Sequence, residues 1–312
     1  MQKPIVVVGS INLDLVATAD RIPEVGETLT GKSFHTYSGG KGANQAVAVA
    51  RLGYPVAMVG NVGDDAFGAQ LRQGLQQAGV DTAYVNTIAG SSGIALITTG
   101  SQGENSIVVV PGANGDLNPR LLEKAAPLLQ RAGFLLAQLE IPLETVDYLS
   151  QFAEQQGIPF MLDPAPSCEL PAALLRRVTW ITPNETETDE LLRIPDMIRP
   201  GSSAAADQLL AAGVRNVLLK LGSQGCLVAE GSRPKEHIPA FSVSAVDTTA
   251  AGDAFNGGFA VGLLRGYTSV GSAIFASAVA AISVTRPGAQ PSMPSITEVE
   301  DFLQRHQTAK IT

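Results

Sequence analysis

Several short runs of this chain are apolar without the period-two alternation of a half-exposed strand: Ile5 to Gly9, Val56 to Gly60, Gly133 to Leu139, Ile158 to Leu162, Val178 to Thr182 and Asn216 to Leu221. A strand that is apolar on both faces must be covered on both faces, which is the condition of a parallel sheet. The intervening segments carry helical signals. Phe67, Leu71 and Leu75 recur at helical spacing within Asp65 to Ala78. Asn118 opens a helix reaching Leu129, and Pro142 is placed to open another. Strand alternating with helix predicts an α/β fold with a central, mostly parallel sheet flanked by helices. Aromatics make up only 5% of the chain while glycine contributes 32 residues, a composition suited to helices packed closely on a sheet. At 312 residues, the length allows about two domains or one elaborated α/β domain; the second is expected, spanning 1–312.

Two blocks interrupt the alternation. Residues 15–38 are punctuated by Pro23, Gly26 and Gly31 around the β-like pieces Glu27 to Thr30 and Ser33 to Tyr37. A second block holds Ile94 to Thr98 and Ser106 to Val110, with Gly100-Ser101-Gln102-Gly103 as a hairpin turn. Together they predict a small separate sheet built from insertions at about 11–38 and 92–112, covering a crevice as a lid. The exposed edges of such a sheet invite pairing with a second copy of the chain.

The chemistry concentrates in Asp247-Thr248-Thr249-Ala250-Ala251-Gly252-Asp253, which runs into the small-residue helix Ala254 to Ala260. Free amides at a helix start, together with the helix dipole, bind anions. A carboxylate among them makes Asp253 a candidate base beside a phosphate. In an open α/β sheet, ligands lie beyond the carboxyl ends of the strands. Asn12 and Asp14 follow the first strand and alternate with apolar neighbours, so both can point to one side. They could equally be loop polar groups satisfying backbone. In Ser38-Gly39-Gly40-Lys41-Gly42-Ala43-Asn44-Gln45, two glycines permit close backbone approach, and Lys41, Asn44 and Gln45 supply donors to a polyhydroxylated or anionic ligand. A bare helix cap would need fewer special residues. Glu140 ends another strand; its alternative role is as an acid favoured by a helix dipole. Asn184 and Glu187 share one helix face, as oxygen ligands toward a hydrated Mg²⁺ would, but spacing alone favours a capping box. Lys220 followed by Gly222-Ser223-Gln224-Gly225 either passes close to a nucleotide or is only a turn.

Several classes are disfavoured. The fingerprints GxGxxG and GxxxxGK[ST] are absent. With 21 basic and 29 acidic residues and no basic cluster, a nucleic-acid partner is not expected. Cys168 and Cys226 lie far apart, giving neither a disulfide framework nor a zinc site. The apolar run at the N-terminus is too short for a signal peptide, and Ala273 to Val284 is too short to span a bilayer. The expectation is a soluble, cytoplasmic protein without a membrane partner.

In combination, GSINLD, SGGKGANQA, PNETE, DTTAAGDAFNGGFA and the tail VTRPGAQPS resemble the ribokinase-like carbohydrate kinases, in order and spacing along essentially the whole chain. The resemblance implies their Rossmann-like fold with a small β-sheet lid, and ATP-dependent phosphorylation of the primary (5-) hydroxyl of D-ribose. It implies Asp253 as the base, and the amides of Ala250, Ala251 and Gly252 as an anion hole. Asn12, Asp14, Gly40, Lys41, Asn44 and Glu140 would hold the sugar. Asn184 and Glu187 would position Mg²⁺ and phosphates, Glu187 indirectly. Lys220, Gly222, Ser223, Gln224, Gly225, Gly252 and Ser277 would line the ATP site. Asp247, Thr249, Ser283, Arg286, Gly288 and Ser292 would form a K⁺ site, largely through carbonyls. A homodimer through the lid sheets is also implied. Two positions depart from the pattern: Ala250 stands where many relatives have glycine, and Ser277 where a larger polar residue often flanks adenine. The alternatives are a kinase of another furanose such as deoxyribose or of a nucleoside, and a catalytically silent sugar-binding sensor. Retention of Asp253, Lys41 and Glu187 argues against the sensor.

Overall fold

The computed structural model describes residues 2–101, 104–193, 201–231 and 233–306. In chain order the elements are β1 (Ile5–Val8), β2 (Asn12–Thr18), β3 (Ser33–Gly39), α1 (Lys41–Arg51), β4 (Val56–Gly63), α2 (Ala66–Gln77), β5 (Asp81–Ile88), β6 (Gly93–Thr99) and β7 (Asn105–Val110). They continue with α3 (Pro119–Lys124), α4 (Ala126–Leu129), β8 (Phe134–Ala137), α5 (Leu143–Gln156), β9 (Phe160–Leu162), α6 (Ala172–Arg177), β10 (Trp180–Ile181), α7 (Glu185–Leu191) and α8 (Ser202–Ala211). The last are β11 (Asn216–Lys220), β12 (Cys226–Glu230), β13 (Glu236–Ile238), α9 (Ala251–Leu264), α10 (Ser269–Ser283) and α11 (Ile296–Arg305).

The main sheet has nine strands in the order β13-β12-β11-β10-β9-β8-β1-β4-β5. Every pairing from β5 to β11 is parallel, and β12 and β13 add an antiparallel hairpin at one edge. Alternate residues of the apolar strands feed opposite faces, so β1 alone serves two cores. Ile5 and Val7 pack with α1, α9 and α10, while Val6 and Val8 pack with the layer of α3, α5, α6 and α8. The chain leaves β1 to build β4 on one side and returns to build β8 on the other. That reversal places a crevice beyond the carboxyl end of β1.

The interrupting blocks form a separate four-stranded sheet in the order β3-β2-β6-β7. Its centre is β2, paired antiparallel to β3 and parallel to β6. The expected strand at Glu27 to Thr30 does not form; residues 19–32 contain no strand. Gly26 has a positive φ there, and the Arg21–Glu27 ion pair closes an exposed loop. Of the expected turn, Gln102 and Gly103 lie outside the described residues. Other boundaries also moved. Helix α1 starts at Lys41 rather than Ala46, because Gly40 at φ 88° turns the chain directly into it. The expected helix from Asn118 divides at Ala125, where Pro127 follows. Strand β5 was missed because its polar residues hide it, as were α6, α8 and β13.

Helix α9 is hydrophobic all round and buried. Its small residues set how closely it lies to its neighbours. A Cβ on Gly257 would sit 2.7 Å from the Ala48 methyl of α1, and one on Gly262 would sit 2.9 Å from Ser272 Cα of α10. Trp180 meets Phe259 edge to face at 4.8 Å between ring centroids, fixing α9 on the sheet. Helix α1 docks on β1 the same way. A Cβ on Gly42 would lie 2.7 Å from the Ser10 amide nitrogen and 2.8 Å from Gly9 backbone carbons, none of which can turn aside. Gly42→Val is therefore expected to destabilise the protein by about 1–3 kcal/mol in urea unfolding, through overpacking rather than lost contacts.

Candidate active site

The main chain enters α9 through an unusual conformation. Ala250 is its N-cap at φ 59° and ψ 16°, a left-handed geometry rare outside glycine. The turn brings Ala251 and Gly252, the first residues of α9, to the wall of a cleft. Of the three expected hole amides, that of Ala251 also donates to the Thr248 carbonyl at 3.2 Å. The ammonium of Lys220 reaches the same place, since a Cβ on Gly252 would lie 3.4 Å from Lys220 Nζ.

Asp253 occupies the first turn of α9 and is only 5% exposed. Its Oδ2 accepts from Asn44 Nδ2 at 3.0 Å and its Oδ1 from Gln45 Nε2 at 3.1 Å. Both donors come from the first turn of α1. Burial is the main cause that lifts the Asp253 carboxyl to about 6; Lys41 opposes it, Asp163 adds to it, and the two amide donors hold it back.

Strand β2 brings Asn12 and Asp14 into the crevice from the small sheet. Both expected positions alternate with Leu13, so they share a face. The two residues paired with Asn12 across the strands, Gly39 and Gly93, are glycines for a spatial reason. A Cβ on Gly39 would lie 2.3 Å from Asp14 Oδ2, and one on Gly93 would lie 2.2 Å from Asn12 Oδ1. Asn12 Oδ1 accepts from Asn114 Nδ2 at 2.7 Å. Burial first, then the charges of Glu140 and Asp253, push the Asp14 carboxyl up to about 7. Glu140 follows β8 and caps α1: its Oε2 accepts from the Lys41 amide at 3.0 Å and from Ser10 Oγ at 2.5 Å. Burial disfavours the charge on Lys41, but Asp253, Asp163, Glu140 and Glu187 outweigh it and raise its pKa. The cation thus lies within the fields of four carboxylates.

Beyond α9 a cleft of about 500 Å³ opens, lined by Lys220, Gly222, Ser223 and Gly225 on one side and by Phe241, Val243, Phe255 and Ala281 on the other. Ser277 lies at its wall with a hydroxyl that has no oxygen or nitrogen partner. Gln224 is outside the lining, as are Asn184 and Glu187. These last two form the capping box of α7: Asn184 Oδ1 accepts from the Glu187 amide at 2.8 Å, and Glu187 Oε2 from the Asn184 amide at 2.8 Å. Glu187 still senses the site: its pKa is raised by burial, lowered by Lys220 and raised by Asp163.

The expected cation residues meet in a loop cluster below Ala250. Asp247 Oδ1 accepts from Thr249 N at 2.9 Å and Thr249 Oγ1 at 2.6 Å, and Oδ2 accepts from Gly288 N at 2.8 Å. Against the penalty of burial, these bonds hold Asp247 below the usual carboxylate range. Ser283 and Ser292 are buried, with hydroxyls donating to Ala280 and Ala289 carbonyls. The Arg286 side chain turns away to pair with Glu298 at 2.5 Å. Among the described residues no group of three or more His, Cys, Asp or Glu could hold a metal ion.

Sequence reasoning did not assign Asp163, Gln138, Asn114 or Gln290 to this site. Asp163 ends β9 and Gln138 follows β8, so the topological argument used for Glu140 applied to them too. Asn114 and Gln290 sit in short 3-10 turns that no periodicity marks.

A family model described as pfkB family carbohydrate kinase matches residues 2–296. The chain is 42% identical over 300 residues to a ribokinase of Bacillus subtilis, covering 96% of this chain and 99% of that one. It is 38% identical to a deoxyribokinase of Salmonella typhi over 306 residues, 97% and 99% of the two chains. The structure of Arabidopsis thaliana ribokinase complexed with ribose and ATP superposes with a TM-score of 0.92 at 35% identity, covering 97% and 99%.

The raised carboxyl of Asp14 has a consequence for stability. Its folded pKa of about 7 exceeds the ordinary value of 3.8, so the folded ligand-free protein holds that proton longer than the unfolded chain. The contribution is fully present below about pH 4 and is lost as pH rises through about 7. Asp14→Asn is therefore expected to melt increasingly above the unmodified protein between pH 4 and pH 8, as followed by thermal unfolding without ligand. A difference that does not change with pH would contradict this.

Proposed function

The chain belongs to the pfkB family of carbohydrate kinases, and we propose that it transfers the γ-phosphoryl group of ATP to the primary hydroxyl of D-ribose. The observation that carries this reading is the place of Asp253, buried between the polar groups of β2 and α1 on one side and the start of α9 with Lys220 on the other. A hydroxyl held against Asp253 faces a phosphoryl group held at the helix start.

Phosphoryl transfer asks the protein for positioning and charge neutralisation more than for covalent chemistry. Asn12, Asp14, Gly40, Lys41, Asn44 and Glu140 supply a sugar pocket rich in donors and acceptors. Asp253 accepts the hydroxyl proton; a carboxyl lifted to about 6 stays ionised at neutral pH while being a stronger base than an ordinary aspartate. The amides of Ala250, Ala251 and Gly252, with Lys41 and Lys220, neutralise charge on the transferring group. Lys220, Gly222, Ser223, Gly225 and Gly252 serve the nucleotide along the cleft. Ser277 stands at the wall where the base would lie, and Gln224 belongs to the same turn but lies outside the cleft lining. Mg²⁺, when bound, would supply charge neutralisation to the nucleotide phosphates. The residues fit an ion held chiefly by phosphates and water, with Glu187 and Asn184 acting from a distance. Asp247, Thr249 and the carbonyls around Ser283, Arg286, Gly288 and Ser292 form an all-oxygen neighbourhood suited to K⁺. We place the protein in the cytoplasm; among the described residues no helix is long and apolar enough to cross a membrane.

A second sugar reading has a specific basis, since the Salmonella typhi deoxyribokinase is nearly as similar as the Bacillus subtilis ribokinase. ADP release measured across ribose, deoxyribose, hexoses and nucleosides, with and without K⁺, separates them; faster turnover of deoxyribose would replace ribose as the substrate. Asp253→Asn is expected to lower kcat by about 10²–10⁴-fold with the fold intact. Near-normal turnover in that variant would sink the base assignment.

The small sheet is the lid of this site and the proposed dimer surface. Phe34, Leu96 and Ile107 to Val110 leave a broad apolar area exposed on it. Val108→Asp is expected to convert a dimer to a monomer in sedimentation. A monomeric unmodified protein would reject the dimer.

A further inference from the structure

Asp163 has no part in the scheme above, although it is one of the most buried charges of the site. It follows β9, and its side chain is 3% exposed. Oδ1 accepts from Lys220 Nζ at 2.9 Å, and Oδ2 accepts from Gln45 Nε2 at 3.0 Å. The same Gln45 nitrogen donates to Asp253 Oδ1 at 3.1 Å. The orientation of that amide is not free. Gln138 Nε2 donates to Gln45 Oε1 at 2.6 Å, so Gln45 must turn its nitrogen toward the two carboxylates. Asn44 holds the other oxygen of Asp253. Both oxygens of the base are therefore fixed, one directly from α1 and one through a bridge that ends on Asp163.

The other end of Asp163 works on the phosphate side. Its pairing partner Lys220 places an ammonium beside Gly252 in the first turn of α9. A buried carboxylate is costly unless paired and hydrogen-bonded, and this one has a cation and an amide. Both bonds lead to groups that face the reactants, while Asp163 itself does not line the nucleotide cleft.

We propose that Asp163 is a positioning residue for the phosphoryl transfer, holding the Lys220 ammonium at the Gly252 end of the anion hole and, through Gln45, fixing the Asp253 carboxylate. This rests on the kinase reading above. It gives the two halves of the reaction a common support, so that base and phosphate cation keep their relative placement. Displacements of about 1 Å can cost roughly 10²-fold in rate, which sets the size of the expected effect.

The test starts with the unmodified protein. Absence of sugar-dependent ADP release would overturn the kinase reading itself, and this proposal with it. Given that activity, Asp163→Asn is expected to lower kcat by about 10²-fold while the sugar KM stays within about threefold. The acid limb of kcat/KM should also move to lower pH. Lys41, Asp14 and Asp163 are the charged groups whose fields reach Asp253, and this change removes a negative one. A merely structural role would lower the melting temperature and leave kcat and the limb in place. A kcat within twofold of the unmodified protein would overturn the proposal and leave the kinase reading standing. Where the asparagine variant does not fold, Asp163→Glu serves. It keeps the charge but shifts the carboxylate by one methylene, and a similar loss of kcat is expected; full activity there would overturn the proposal equally.

Discussion

The site depends on burying one carboxylate, that of Asp253, in the first turn of an almost wholly apolar helix. Isolated, such a charge would be expelled or neutralised. It survives because α1 presents two side-chain amides and Lys41 to it, and because α1 and α9 approach closely enough for those groups to reach. That approach is a matter of small residues: Gly257 lies against Ala48, and no larger side chain would fit between the backbones. The glycine and alanine content that first looks like a packing detail thus sets the electrostatics of Asp253. Balancing desolvation against amides and a cation leaves the carboxyl at about 6. That is basic enough to accept a proton and acidic enough to be ionised at neutral pH.

The second constraint comes from topology. Polar groups from β1, β8 and β9 converge because the carboxyl ends of parallel strands meet at the reversal of strand order. The small sheet joins them by a different route. Only three residues lie between the end of β1 and the start of its inner strand β2, so Asn12 and Asp14 belong to the smaller sheet and to the crevice at once. Any movement of that sheet relative to the main one is then a movement of Asp14 relative to Asp253, two groups whose charges already oppose each other.

Much of this was legible in the residues. The doubly apolar runs specified the parallel sheet, and the two β-like blocks specified the separate sheet. Asn184 and Glu187 specified a capping box that forms with both bonds in place. What stayed hidden had physical causes. Strand β5 lies next to β4 at the sheet edge, with polar residues that break the apolar signature. Helix α1 carries Gly42 and Asn44 near its start, poor helix formers that only a tertiary fit to β1 justifies. Asp163 and Gln138 carried the same positional argument as Glu140, but a residue's partners across 93 or 118 positions of sequence cannot be read from spacing.

Ala250 joins these threads. A left-handed alanine costs roughly 1–2 kcal/mol, and such strain persists only where surrounding bonds over-determine it. Here the bonds are visible. Val246 and Asp247 donate to the Val284 carbonyl, the Asp247 carboxylate ties Thr249 to Gly288, and the Ala254 amide returns to the Ala250 carbonyl. The carboxylate proposed for the monovalent cation is therefore the same group that holds the entry to α9 in shape. An ion at Asp247 would compete with Thr249 and Gly288 for its oxygens and so bear on the Ala250 turn. Through that turn it would bear on the first amides of α9, the proposed anion hole. Coupling between the proposed cation loop and the proposed anion hole would need no long pathway in this fold, because only two residues lie between Asp247 and Ala250 and one strained torsion connects them.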